Sequence, residues 1–271
     1  MAHPHPGDRE RPVDHRHGKD SLVTDGLSLT GKVALITGGS RGIGAGIARR
    51  FAAAGAGVAI SYKSRSDAAD ALAAEITAAG GHCLPVAGDL ADEAAVARAV
   101  EQTVARFGRI DILVNCAGIG PYKPLGSMDA AFVRSILDAN VLGTVLITQA
   151  VLPHLPSPGG RIVNVASALA YRPIPTSSVY SASKAAVVTL THAWSKELGP
   201  KGITVNAIAP GVIETEMTTA ILAERGPGIV AMTPLGRIGQ PDDIAGIALF
   251  LCSAESGWVT GRTIVADGGV T

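Results

Sequence analysis

Tyr180 and Lys184 stand four residues apart in Tyr180-Ser181-Ala182-Ser183-Lys184. On a helix that spacing puts a phenol and an ammonium on one face. A phenol is a poor acid–base group near neutral pH, because its ordinary pKa is about 10. An ammonium beside it favours the phenolate and draws the value toward the working range. The pair reads as an acid–base couple in which Lys184 tunes Tyr180 and is not itself a nucleophile. A second feature is Thr37-Gly38-Gly39-Ser40-Arg41-Gly42-Ile43-Gly44, which follows a β-branched run and leads into an Ala-rich segment. Glycines let a turn tighten and let the backbone approach a pyrophosphate. The helix start behind them offers free N–H groups and a positive dipole end. Placed between a first strand and a first helix, such a turn points to a dinucleotide. Singly, each feature has a plain alternative: a surface Tyr–Lys pair, or a bare turn.

The elements that must position these groups repeat as strand, turn and helix from Lys32 onward. Short runs at 33–36, 58–61, 83–86, 110–114, 161–165, 204–208 and 263–265 are mostly continuous in apolar residues, as strands buried on both faces are. Between them, segments near 42–54, 67–79, 92–107, 129–152, 178–198 and 241–253 have helical period. Asp92, Asp129 and Pro241-Asp242-Asp243 supply helix starts. Strand–helix alternation implies crossovers. The prediction is α/β: a single Rossmann-type doubly wound domain over 30–271, a seven-stranded parallel sheet with helices on both faces. Residues 119–125, 168–178 and 212–235 read as loops that would contact substrate, among them Tyr122, Tyr171, Arg172 and Glu214.

Residues 1–29 read as a disordered polar tail, with almost nothing apolar to bury. His3, His5, His15 and His17 lie there without the Cys or carboxylate spacing of a defined metal site. Over all 271 residues the formal net charge is zero, so no nucleic-acid partner is expected. No apolar run approaches the roughly 18 residues that span a membrane. Cys83, Cys116 and Cys252 lack C-x-x-C spacing and read as reduced thiols of a cytoplasmic protein. His82, His154 and His192 read as structural.

Four stretches in register resemble the short-chain dehydrogenase/reductase family: the glycine turn, Asn115-Cys116-Ala117-Gly118, Ser167 with Tyr180 and Lys184, and Pro210-Gly211. The Ser-to-Tyr offset, 180 − 167 = 13, is the family's usual one. The likeness runs from about residue 29 through Asp267-Gly268-Gly269, and its nearest pattern is the 3-oxoacyl-carrier-protein reductase branch. One departure is Cys116, where the family usually has a second Asn. The resemblance implies a carbonyl/alcohol oxidoreductase with Tyr180 as general acid/base. Lys184 would tune Tyr180, helped by an oxidised nicotinamide ring, and bind the nicotinamide ribose. Ser167 would polarise the substrate oxygen, and Asn140 would hold a water linking Lys184 to solvent. It implies cofactor contacts from Gly38, Ser40, Arg41, Gly42, Ile43 and Gly44, from Asp89 and Leu90 to adenine, and from Asn115, Ala117 and Gly118 to the adenine ribose and phosphate. Pro210, Gly211, Ile213 and Thr215 would hold the carboxamide. A catalytically silent dinucleotide-binding regulator is the alternative, but it would have no reason to keep all four catalytic positions.

NAD selection usually relies on an acid ending the second strand. Here Tyr62-Lys63-Ser64 follows that strand, with no carboxylate until Asp67. Lys63 and Arg41 could both reach a 2′-phosphate, so NADP(H) is expected rather than NAD(H). Segments 141–155 and 187–198 are apolar around most of their circumference and need a further partner; family resemblance implies a homotetramer. Carrier-protein reductases dock an acidic partner through basic residues. The loop Pro156-Ser157-Pro158-Gly159-Gly160 has no cation, although Lys196 and Lys201 keep positive charge elsewhere. A free small carbonyl compound is therefore the expected substrate.

Overall fold

The computed structural model describes residues 27–271. Most of the expected polar tail, with its four histidines, lies outside the described residues. Its boundary shifts, however: Leu29 is buried in the core and Leu27 packs against it, so the ordered unit takes in residues placed in the tail.

Seven strands form one parallel sheet in the order β3-β2-β1-β4-β5-β6-β7. They are β1 Val33–Thr37, β2 Gly57–Tyr62, β3 His82–Ala87, β4 Ile112–Asn115, β5 Arg161–Val165, β6 Thr204–Pro210 and β7 Thr263–Ala266. β1 and β6 are buried at every position, which is why they are mostly apolar, with Asn206 the polar exception inside β6. β3 is an edge strand paired only with β2, and it accommodates Pro85, as only an edge does readily. β4 begins later than expected because Asp111 is a clasp. Its N–H donates to the Val33 carbonyl and its carboxylate accepts from the Val33 N–H.

Helices α1 Gly42–Ala53, α2 Ser66–Ala78 and α8 Pro241–Cys252 cover one face, through Phe51, Leu72 and Leu249 among others. Helix α3 Glu93–Phe107 and α5 Gly143–Val151 cover the other, with Val96, Val100, Ile147 and Val151 in its core. Helix α6 Ser178–Leu198 packs against β6 and β5.

Two expectations fail. The single helix over 129–152 is divided: α4 Ala130–Leu137 passes through a π-turn at Asp138–Leu142 before α5 begins. There the Gly143 N–H bonds the Asp138 carbonyl five residues back, and the Thr144 hydroxyl takes up the Asn140 carbonyl at 2.9 Å. The run Ala130–His154 passes a length-and-composition test for crossing a membrane, but Arg134, Asp138, Asn140 and Gln149 interrupt it, and Ile136, Ile147 and Val151 bury against the domain. Second, 212–235 is not a loop throughout: Thr219–Met232 forms α7 with Pro227 inside it. The Gly226-Pro227-Gly228 breaker signal hid a helix that buries no residue and so has no apolar stripe to betray it.

Candidate active site

The sheet order reverses between β1 and β4, and the crevice beyond their carboxyl ends is where doubly wound sheets bind ligands. The Thr37 hydroxyl accepts the N–H groups of Cys116 and Ala117 at 3.0 and 3.1 Å, tying the glycine turn to the loop after β4. Gly38 has φ +62°, and a Cβ there would stand 2.8 Å from Ala117 Cα. Gly42 has φ +54° and faces Thr215. Helix α1 starts after Arg41 with no side-chain cap and no acid in its first turn, whereas Asp92 and Asp129 cap α3 and α4. Ser61 Oγ and Asn115 Oδ1, at the ends of strands flanking the turn, are buried without a partner. A bare helix start, a tightened glycine turn and two orphaned polar atoms fit the phosphates and ribose of a dinucleotide.

The remaining expected positions lie in the segments that follow the carboxyl ends of β1, β3 and β6. Ser40 and Ile43 lie in the turn. Leu90 is buried so closely against Gly143 that a Cβ there would stand 2.9 Å from its own. Gly211 donates to the Ala266 carbonyl and abuts Asp267. Ile213 bridges to Gly239, and Thr215 caps the short turn Glu216–Thr218.

Lys63 and Arg41, expected to reach a 2′-phosphate, are each paired with an acid. Lys63 lies 2.5 Å from Asp89, and Arg41 donates to Glu216 at 2.7 Å. Arg65 grips Asp67 with two bonds of 3.0 Å and lies 3.6 Å from Glu216. Asp89 also accepts the Ala91 N–H. Tyr62 and Ser64 flank Lys63, with Ser64 exposed and the Tyr62 carbonyl accepting from Gly88.

Ser167 follows β5, and Tyr180 and Lys184 lie on α6 as their spacing requires. Ser167 Oγ accepts the Leu169 N–H at 3.2 Å, leaving its own proton to donate. Lys184 is buried, its Nζ donating to the Val165 carbonyl at 2.8 Å and standing 6.0 Å from the centre of the Tyr180 ring. The Tyr122 ring lies tilted against Tyr180 at 6.0 Å, so the loop after β4 reaches the phenol. That loop is pinned by Lys123 N–H to the Thr176 carbonyl. Asn140 Oδ1 accepts the Ile119 N–H at 2.8 Å, while Nδ2 donates to the Ile119 carbonyl and to Ser183 Oγ. Asn140 therefore braces the loop that follows Gly118.

Burial pushes the Tyr180 phenol up to about 12, opposed by a hydrogen bond from Ser167. Burial also draws the Lys184 ammonium down to about 8. The expected lowering of Tyr180 by Lys184 is thus not seen in the protein alone: loss of water around the phenolate dominates, and the lowering influence comes from Ser167. Burial raises the Cys116 thiol to about 11, with Lys184 opposing, and its side chain packs against the core in place of the usual Asn.

Sequence reasoning missed a buried polar chain behind the site. Asn115 Nδ2 donates to Asn164 Oδ1 at 2.8 Å and to Thr148 at 3.0 Å; Asn164 Nδ2 donates to Thr191 at 2.8 Å. It ties β4, β5 and α6 together. The available signal was Asn164, polar in the centre of an apolar strand. The Thr37 hydroxyl, which ties the glycine turn to the loop after β4, was missed as well; its signal was its place at the opening of the glycine motif.

The family model described as enoyl-(acyl carrier protein) reductase matches residues 38–271. An uncharacterized oxidoreductase of Methylorubrum extorquens is 45% identical over 245 residues, covering 89% of this chain and 98% of the relative. A 3-oxoacyl-[acyl-carrier-protein] reductase of Synechocystis is 41% identical over 245 residues, covering 90% and 98%. A Burkholderia cenocepacia short-chain dehydrogenase solved in complex with NADP superposes with a TM-score of 0.84 at 40% identity, covering 89% and 98%. With its seven-stranded parallel sheet and four motifs in register, this chain belongs to the short-chain dehydrogenase/reductase family of oxidoreductases, in its 3-oxoacyl-carrier-protein reductase-like branch.

Proposed function

We propose that this protein is an NADP(H)-dependent oxidoreductase that interconverts a carbonyl and a secondary alcohol by hydride transfer. The observation that carries the reading is the convergence of Ser167, Tyr180 and Lys184 beside an uncapped helix start and a glycine turn. When bound, the reduced nicotinamide supplies the hydride. Ser167 donates a hydrogen bond to the substrate oxygen and steadies the charge that develops there. Tyr180, held as a phenol by burial, gives its proton to the same oxygen. Lys184, protonated near neutral pH, favours the phenolate left behind. In the opposite direction the phenolate accepts the proton.

Support for NADP(H) comes from Arg41, Lys63 and Arg65 beside the second strand and from the NADP complex of the Burkholderia relative. The substrate is proposed to be a free small carbonyl compound. Lys196 and Lys201 are exposed, but the loop before β5 carries no cation, which halves the basic surface available to an acidic carrier. The protein is proposed to be a cytoplasmic homotetramer; Leu137 and Leu142 on the α4–α5 run stay exposed and suit burial against another copy.

The test is NADPH oxidation with a panel of ketones and quinones, run beside Tyr180→Phe. Turnover by the parent and not by the variant supports the reading; no turnover of any carbonyl by the parent opposes it. Acetoacetyl-carrier protein compared with thioester mimics and simple ketones, at low and high salt, decides the substrate class. A strong, salt-sensitive preference for the carrier-bound substrate would count against a free one. Light scattering that gives a monomer at micromolar concentration would remove the tetramer.

A further inference from the structure

Three cations and three carboxylates meet at the carboxyl ends of the strands around the glycine turn, and one carboxylate differs from the others. Asp67 lies two residues from its partner Arg65, and Asp89 belongs to the turn that caps itself on Ala91. Both acids sit on the side of the crevice that carries the cations. Glu216 comes from the other side, from the segment after β6, and reaches back across 175 residues of chain to Arg41. The same oxygen, Oε2, lies 2.7 Å from Arg41 Nη1 and 3.6 Å from Arg65 Nη1. A single anionic oxygen is thus held between an arginine of the glycine turn and an arginine beyond β2. The neighbouring Thr215 packs on Gly42, so the crossing lies over the start of α1.

We propose that the Glu216 carboxylate is an internal occupant of the cofactor's 2′-phosphate site, and that it sets how strongly the protein prefers a 2′-phosphorylated dinucleotide. This rests on the NADP(H) reading. Arg41 and Arg65 present donors that a phosphate with two or three free oxygens fills better than one carboxylate oxygen. Glu216 is 59% exposed at its side chain, so it returns to water with little desolvation cost. A dinucleotide with a 2′-phosphate displaces it and takes both arginines; one lacking that phosphate has no anion with which to compete there. Asp67 remains on Arg65 throughout and keeps that guanidinium aimed, which makes Arg65 a third determinant beside Arg41 and Lys63.

The experiment is calorimetric titration with adenosine 2′,5′-bisphosphate and adenosine 5′-monophosphate, which differ in the 2′-phosphate alone. It uses the parent protein, Glu216→Gln, Arg65→Ala and the double variant, with NADPH and NADH as a second pair of probes. Glu216→Gln should raise the bisphosphate-to-monophosphate affinity ratio by about threefold, the scale on which exposed ion pairs compete. Arg65→Ala should lower it, and in the double variant the Glu216 effect should shrink. An unchanged or lower ratio in Glu216→Gln overturns the proposal, since Glu216 would then merely position Arg41. A parent protein that binds both probes equally and turns over NADH in preference overturns the NADP(H) reading itself, and the proposal falls with it. Circular dichroism of each variant separates these outcomes from misfolding.

Discussion

Lys184 reaches from α6 to β5, where its Nζ donates to the carbonyl of Val165 at 2.8 Å. That bond fixes the ammonium relative to Ser167, which lies just beyond the same strand. It also sets up an opposition between two titrations. Lys184 loses its proton as pH rises through about 8, whereas Tyr180 stays a phenol up to about 12. For carbonyl reduction, kcat/KM should be level at neutral pH and fall above about 8 as the ammonium is lost. A reduction profile that climbs through this range would contradict the role given to Lys184. Stability follows a different sign. The unfolded chain keeps the lysine proton to about 10.5 while the folded chain releases it near 8, so folding stability should increase with pH across that window. Above about 10 the raised phenol reverses the trend, because the folded state then holds the extra proton.

Tyr180→Phe keeps the ring that packs against Tyr122 and removes the proton donor alone. Steady-state kinetics should show kcat reduced by about 10²- to 10⁴-fold, with dinucleotide affinity nearly unchanged by fluorescence titration. Retention of more than about a tenth of the parent rate would be too much activity for a protein lacking its general acid.

Gly118→Ala places a methyl group 2.9 Å from Asn140 Oδ1 and 3.3 Å from Lys184 Nζ. Lys184 has a flexible end, but Asn140 is held by three hydrogen bonds and cannot retreat without freeing Ile119 or Ser183. The expected outcome is a folded protein with kcat lowered at least about tenfold, equivalent to roughly 1.4 kcal/mol of lost transition-state stabilisation. Parent-like kinetics would show that Asn140 has freedom the geometry does not suggest.

Asn164→Ala removes the centre of the chain that joins Asn115 to Thr191. Asn115 keeps its bond to Thr148 and Thr191 its bond to the Val187 carbonyl, so the loss is partial. Urea unfolding should record a destabilisation of about 1–3 kcal/mol, the usual cost of buried groups left without partners. A midpoint unchanged from the parent protein would mean that water fills the gap at no cost.

The site was legible where chemistry travels along the chain. Tyr180 and Lys184 share a face because four residues make about one helical turn, and the glycine turn announces itself between β1 and α1. The strands were legible because burial on both faces leaves continuous apolar runs. What escaped was set by distant partners or by small slips of the backbone. Nothing near Glu216 in sequence predicts Arg41, and nothing near Lys63 predicts that Asp89 will neutralise it. A π-turn is one residue's shift in hydrogen bonding, so the apolar period around Asn140 hardly records it. Helix α7 buries no residue, and with no apolar stripe only the misleading Gly-Pro-Gly remained.

The placement of Pro85 makes the two margins of the sheet unequal toward another strand. At the β3 margin a residue without an N–H interrupts the row of donors that an incoming strand would need. The β7 margin contains no proline, and Val265 there is 39% exposed. Among the described residues, extension of this sheet by a foreign strand, whether in orderly assembly or in aggregation, is therefore directional: β3 obstructs it with a proline and β7 does not.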